Sequence, residues 1–161
     1  MIILGIDPGL ASTGFGAINC SSQSTSLLKC GSIKTSQNIH ISNRLFQIYN
    51  DMSYLIDTIS PDIIAIENAF SLIRYPRAGI LLGSVLGIIY LLVSQKKLKI
   101  VEITPKEVKN ALVGYGSANK KQVSETIQKI LHIGEIKSFH ASDALAIALT
   151  AFYRESPLRL R

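Results

Sequence analysis

The sequence predicts an α/β protein in which a mixed five-stranded sheet is covered by helices on both faces. Three segments of strand character lie within residues 1–34 and are joined by short polar stretches, which is typical of an antiparallel meander. From residue 42 onwards, helical patterns alternate with two further strand-like segments. A run of strands followed by strands alternating with helices favours a mixed sheet between layers of helices.

The five predicted strands are short apolar or alternating segments bounded by turn residues. They cover residues 1–7, 14–19, 26–34, 62–67 and 99–102. The polar stretch 20–25 separates the second from the third, and residues 62–67 form an apolar run of the kind that is buried in a sheet.

The predicted helices span residues 42–59, 79–93, 105–112, 119–132 and 141–154. Ser42 or Asn43 could cap the first helix, and Pro61 stops it. Thr104 and Pro105 are a typical helix start, because proline fits the first helical position. The apolar run 79–93 is shorter than the roughly 20 residues that cross a bilayer, so we expect a buried helix there.

Composition indicates one globular domain in a reducing compartment. The chain has 161 residues, of which 47% are hydrophobic and 17% charged. Cys20 and Cys30 lack the spacing of a disulfide framework or a zinc site. The N-terminus lacks the pattern of a signal peptide, so we expect a cytoplasmic protein without a membrane partner.

Positive charge is concentrated in the second part of the chain. Residues 1–73 contain three Lys/Arg and five Asp/Glu, whereas residues 74–161 contain fourteen and six. This distribution favours binding to a nucleic acid, because neutralising phosphates releases counterions. For any single basic cluster, a solvated surface that aids solubility is the alternative.

Four side chains form a candidate metal site. Asp7 and Glu67 each end a predicted strand, and if those strands are parallel neighbours both acids emerge at the edge where open α/β sheets bind ligands. His140 and Asp143 are three residues apart near the start of the last helix and therefore share a face. Each residue alone could be an ordinary turn, strand-end or helix-end residue.

Acidic groups that cluster in this way need a cation to offset their repulsion. Oxygen ligands with one imidazole suit Mg²⁺ or Mn²⁺, and the sequence has no Cys/His set spaced for zinc. Two such ions can hold a phosphodiester, activate a water and stabilise the leaving oxygen.

Five segments of the chain resemble the RuvC family of Holliday junction resolvases. In chain order they are residues 3–9 (ILGIDPG), 64–70 (IAIENAF), 104–109 (TPKEVK), 114–123 (GYGSANKKQV) and 140–148 (HASDALAIA). The match covers almost the whole chain. It implies an RNase H-like nuclease domain over residues 1–156, with a short basic C-terminal tail at 157–161.

The resemblance also implies an activity. Members of this family act as homodimers and cut four-way DNA junctions with Mg²⁺ or Mn²⁺, beside the RuvA–RuvB branch-migration complex. By position, Asp7, Glu67 and Asp143 would be catalytic acids and metal ligands, and His140 would occupy the remaining catalytic position, which is Asp or His in the family.

Further residues are predicted to contact DNA. The resemblance places Lys109 and Lys120 near the DNA, where a positive charge could contact a phosphate or stabilise the transition state. Lys121, Arg74 and Arg77 extend this basic surface. Phe70 could stack on an unpaired base at the junction, although packing in the core is the alternative.

Small residues at every fourth position of the 79–93 helix, Gly79, Gly83 and Gly87, would let another backbone approach closely. This face could pack on the sheet or against the same helix of a second subunit. A two-fold dimer would place two active sites symmetrically, as paired nicks require.

Three other functions fit parts of the sequence. Asp7-Pro8-Gly9 with Ser12 and Thr13 resembles the phosphate loop of actin-like ATPases and sugar kinases, although those enzymes need two lobes and the chain has no Walker A motif. A non-catalytic DNA-binding module would explain the basic residues alone. A ribonuclease of the same fold would share the acids.

Overall fold

The computed structural model describes residues 1–21, 23–68 and 76–155. The strands are β1 Ile2–Asp7, β2 Ser12–Cys20, β3 Thr25–Lys34, β4 Ile63–Glu67 and β5 Lys99–Ile103. The helices are α1 Ile41–Ile59, α2 Pro76–Gln95, α3 Pro105–Val113, α4 Lys120–Leu131 and α5 Phe139–Glu155.

One five-stranded sheet runs in the order β3-β2-β1-β4-β5. The pairs β1/β2 and β2/β3 are antiparallel, whereas β1/β4 and β4/β5 are parallel. The predicted mixed sheet, with an antiparallel meander formed by its first three strands, is therefore confirmed.

Helices cover both faces of the sheet, also as predicted, and each face has its own hydrophobic cluster. Leu4 and Ile6 of β1 pack with α1 and α2, and Ile3 of the same strand packs with α4 and α5. This alternation follows from the two-residue period of a strand. The same alternation determines the face of the sheet on which each side chain at the carboxyl end of the strand lies.

The helix termini confirm one predicted cap and correct another. Thr104 caps α3 in a capping box with Glu107, and Pro105 occupies the first helical position. The cap of α1 is His40, whose side chain accepts from the backbone N–H of Ser42, and not Ser42 or Asn43 as predicted. A histidine ring nitrogen can accept in this way, although it is outside the usual set of cap residues.

The predicted 79–93 helix is present within α2, but the expectation that it is buried is wrong. In α2, which has 20 residues, the buried side chains are Val85, Ile89, Leu92 and Val93, all on one face. In the described part of the chain, α2 is the one helix long and apolar enough to cross a membrane, but only 22% of the relevant window is buried, and a single such helix is weak support for a membrane span. Among residues 1–21, 23–68 and 76–155, none covers the outer apolar face of α2, where Ile80 and Leu91 are exposed.

Candidate active site

Asp7 and Glu67 lie side by side at the carboxyl edge of the sheet. The parallel register pairs Ile6 with Ile66, so the residue that follows each of them ends its strand at the same level. Because Leu4, Ile6, Ile64 and Ile66 all face the α1–α2 layer, both acids face α5 on the opposite side.

Two residues of α5 complete the group above these acids. Nδ1 of His140 lies 2.7 Å from Oδ2 of Asp7. Asp143, one turn further along, accepts a hydrogen bond from Nζ of Lys120 at 2.8 Å, and Lys120 is the first residue of α4. Since α5 begins at Phe139, two residues before the predicted start, His140 belongs to the helix and not to the preceding loop.

Glycines in the sheet allow α5 to lie directly on the strands. A Cβ atom at Gly14, which pairs with Asp7 across β1 and β2, would overlap the backbone carbonyl of His140. A Cβ atom at Gly5 would likewise overlap the carbonyl of Ala144. Contact between backbones therefore sets the spacing between Asp7 and the residues of α5.

Burial and mutual repulsion raise the pKa values of Asp7 and Glu67. Burial, together with the charges of Asp7 and Asp143, raises the pKa of Glu67 to about 7. Burial also raises the pKa of Asp7, although the hydrogen bond from His140 opposes the rise. The pKa of Lys120 is raised, chiefly by its hydrogen bond to Asp143. These groups therefore act on one another as a single electrostatic cluster.

The side chains are arranged as two bonded pairs, His140 with Asp7 and Lys120 with Asp143. Over residues 1–21, 23–68 and 76–155, no three His, Cys, Asp or Glu side chains lie close enough to hold one ion together. The assignment of the four residues as ligands therefore stays a prediction. The donor chemistry fits a hard divalent cation, because three carboxylates and one imidazole are the groups available and the repulsion between the acids would be offset by positive charge.

The predicted DNA-contacting residues divide into three groups. Lys109 and Lys120 line a cavity of about 110 Å³ with Glu67 and Asp143, so both lysines lie at the acids. Lys121 and Arg77 are exposed in the first turns of α4 and α2. Phe70 and Arg74 lie outside the described residues, as does the predicted 157–161 tail.

Sequence reasoning missed a hydrogen-bonded group next to Glu67. The carboxylate of Glu102 in β5 accepts from Nδ2 of Asn68 at 3.0 Å and from the hydroxyl of Tyr90 at 2.7 Å. Asn68 directly follows Glu67, and its backbone N–H donates to the carbonyl of Ile103 at 2.9 Å. Glu102 meets Asn68 through the register of the strands and meets Tyr90 through the packing of α2. These contacts join residues that are distant in the chain, so the sequence carries no signal for them.

The fold and the acids at the edge of the sheet define an RNase H-like protein. Among solved structures, RuvC of Thermus thermophilus superposes with a TM-score of 0.88 at 30% identity, covering 96% of this chain and 95% of that one. The T. thermophilus RuvC in complex with Holliday junction substrate superposes with a TM-score of 0.90 over 96% and 94% of the two chains, again at 30% identity.

The sequence comparisons identify the family. The family described as crossover junction endodeoxyribonuclease RuvC matches residues 3–151. The crossover junction endodeoxyribonuclease RuvC of Prosthecochloris aestuarii is 42% identical over 92% of this chain and 80% of its own length. That of Prochlorococcus marinus is 38% identical over 96% and 98%. The chain belongs to the RuvC family.

Proposed function

We propose that this protein is a structure-selective endonuclease that resolves four-way DNA junctions by paired, symmetric nicks, and so acts in homologous recombination and DNA repair. The observation that carries the proposal is that Asp7 and Glu67, at the edge of the sheet, interact electrostatically with Asp143 of α5, in a chain that belongs to the RuvC family. The solved complex of the T. thermophilus relative contains a Holliday junction substrate.

In this proposal Asp7, Glu67 and Asp143 would hold two divalent ions, Mg²⁺ or Mn²⁺. The raised pKa of Glu67 supports a cation here, because positive charge would offset the burial and repulsion that now favour the protonated acid. When bound, such ions stabilise charge on the phosphate and lower the pKa of a bound water. Lys120 would then exchange its bond to Asp143 for a contact with DNA phosphate.

His140 is suited either to bind an ion or to orient the attacking water. An ionised Asp7 can only accept a hydrogen bond, so the 2.7 Å contact places a proton on Nδ1, and in a neutral ring Nε2 is then an acceptor. In the reaction a water oxygen bonds to phosphorus as the bond from phosphorus to O3′ breaks. The O3′ atom takes up a proton, and the products are a 3′-hydroxyl and a 5′-phosphate.

Basic residues around the acids would hold the DNA backbone. Lys109 and Lys120 line the same cavity as Glu67 and Asp143, which puts two positive charges where the scissile phosphate would lie. Lys121 and Arg77, both exposed, and Phe70 and Arg74 would extend this contact along the junction.

The outer face of α2 supports a homodimer. Ile80, Leu91 and Tyr90 are 71%, 51% and 40% exposed, and Gly83 and Gly87 have open space at the Cβ position. Ile80, Gly83, Gly87 and Leu91 follow helical spacing along one stripe, so a second α2 could pack against it closely. A dimer across this stripe would pair two active sites about a two-fold axis. We propose the RuvA–RuvB complex as a further partner and the cytoplasm as the location.

The test is cleavage of a labelled mobile four-way junction by the purified protein in EDTA, Mg²⁺ or Mn²⁺. We expect symmetric nicks only with a divalent ion, and products that a DNA ligase can seal directly. Asp7→Asn should abolish cleavage and retain junction binding, whereas Asp51→Asn, on the exposed side of α1, should behave as the wild type.

Three results would contradict the proposal. They are nicking by Asp7→Asn, equal cleavage of linear duplex and junction, and faster cleavage of an RNA–DNA hybrid than of the junction. The last result would favour a ribonuclease of the same fold.

A further inference from the structure

A groove opens between α4 and the segment that leads into α5. Its volume is about 680 Å³, and its walls include Phe139, Ile136 and Gln128. The groove shares Lys120 and Asp143 with the smaller cavity that contains Glu67 and Lys109. The groove therefore adjoins the site of the acids at Lys120 and Asp143, where the next nucleotides of a DNA strand held at the acids could enter it.

Phe139 is the most exposed of the large hydrophobic residues in the described part of the chain. Its exposed fraction is 80%, and it belongs to neither hydrophobic cluster. It directly precedes His140 in the chain, and it lines the same groove as Asp143. An aromatic ring exposed beside a nucleic-acid site is a platform on which a base can stack.

The charges in the groove distinguish a base from a phosphate. Lys120 lies at the end nearest the active site, where a phosphate is expected, and the neighbouring Lys121 is 3.9 Å from Glu125. Glu125 and Glu135 line the rest of the groove. Carboxylates repel a phosphate but accept hydrogen bonds from the amino group of a base such as cytosine.

We propose that the groove between α4 and α5 is a nucleobase subsite, in which a base beside the scissile phosphate leaves the DNA stack and packs on Phe139. The phosphates of that strand stay at Lys120 and Lys121, and the acidic wall formed by Glu125 and Glu135 favours a base with an amino group. This inference rests on the proposed junction-cleaving function and extends it to the nucleotides next to the cut.

The test uses a four-way junction with 2-aminopurine placed in turn at each nucleotide within two positions of the mapped nick. We expect one position to change fluorescence when wild-type protein binds in Ca²⁺, and expect Phe139→Ala to remove that change. Stacking of one base predicts a loss of about 5- to 150-fold in junction affinity or cleavage rate for Phe139→Ala. Phe139→Tyr should retain both, since the ring remains.

Two controls separate stacking from general damage. Tyr54→Ala removes a ring that is 71% exposed on α1, on the other face of the sheet, and should leave binding and cleavage unchanged. The slope of affinity against salt concentration should be unchanged in Phe139→Ala but reduced by about one in Lys121→Ala, because only the lysine releases a counterion.

The outcomes distinguish this inference from the function on which it rests. If wild-type protein neither binds nor cuts the junction, the proposed function fails. If wild-type protein cuts the junction and Phe139→Ala binds, cuts and changes the fluorescence equally well, the nucleobase subsite alone is refuted. An equal loss in Phe139→Ala and Phe139→Tyr would also refute it, because stacking requires only the ring.

Discussion

Replacing Glu67 with glutamine should stabilise the metal-free protein at alkaline pH. Burial and the neighbouring carboxylates raise the pKa of Glu67 from its usual 4.5 to about 7. The folded protein therefore holds this proton more tightly than the unfolded chain does, and folding stability falls as pH rises from about 4.5 through 7. The full shift sets an upper bound of about 3 kcal/mol. Because the side chain is partly solvated, we expect about 1–2 kcal/mol.

The measurement is the free energy of unfolding in urea, with EDTA, at pH 4.5 and pH 8. Glu67→Gln should exceed the wild type by about 1–2 kcal/mol at pH 8 and by much less at pH 4.5. Glu135→Gln, which neutralises an exposed acid away from Asp7, should show no such dependence on pH. Adding Mg²⁺ at pH 8 should stabilise the wild type more than Glu67→Gln, because the ion binds the carboxylate. An equal difference between variant and wild type at both pH values would refute this account of the cluster.

Three further predictions concern the helix contacts and the subunit interface. His140→Ala should raise the Mg²⁺ concentration needed for half-maximal cleavage about tenfold, and an unchanged requirement would show that the ring only packs at the helix end. Gly14→Ala should reduce the free energy of unfolding by about 2–3 kcal/mol. Gly134→Ala should be nearly neutral, because a Cβ at that position meets no atom within 4 Å. Similar values for the two variants would contradict the close packing of α5. Leu91→Glu should give only the monomer of 17.6 kDa in sedimentation. Phe46→Glu, which changes an exposed apolar residue of α1, should remain a dimer. A monomeric wild type would contradict the interface.

The strand pattern was sufficient to predict the edge where the acids meet. Asp7 and Glu67 each follow an apolar run, and a two-residue period with parallel pairing fixes both their edge and their face. What the sequence could not supply was contact between distant elements. The bond from Lys120 to Asp143 depends on how α4 packs beside α5, and no local pattern encodes that packing.

The exposure of α2 was mispredicted for a related reason. An apolar run records which side chains avoid water but not what covers them. Here Val85 and Ile89 are buried in the cluster formed with α1 and the strands, while Ile80 and Leu91 on the outer face are exposed among the residues that the structure describes. Similarly, the sequence around Phe139 predicts an ordinary apolar residue near a helix start, and only the structure shows that its ring is exposed to solvent.

The glycines beneath α5 leave no room for a larger side chain between the strands and this helix. At Gly5 and Gly14 the backbone of α5 lies directly on the backbone of the strands. No layer of side chains lies between them that could move to make room for a larger residue. A single added methyl group would push His140 and Asp143 away from Asp7 together, as one unit. Substitutions that adjust this site without displacing α5 must therefore change the side chains around it, since the spacing between the strands and α5 is held by the backbone itself.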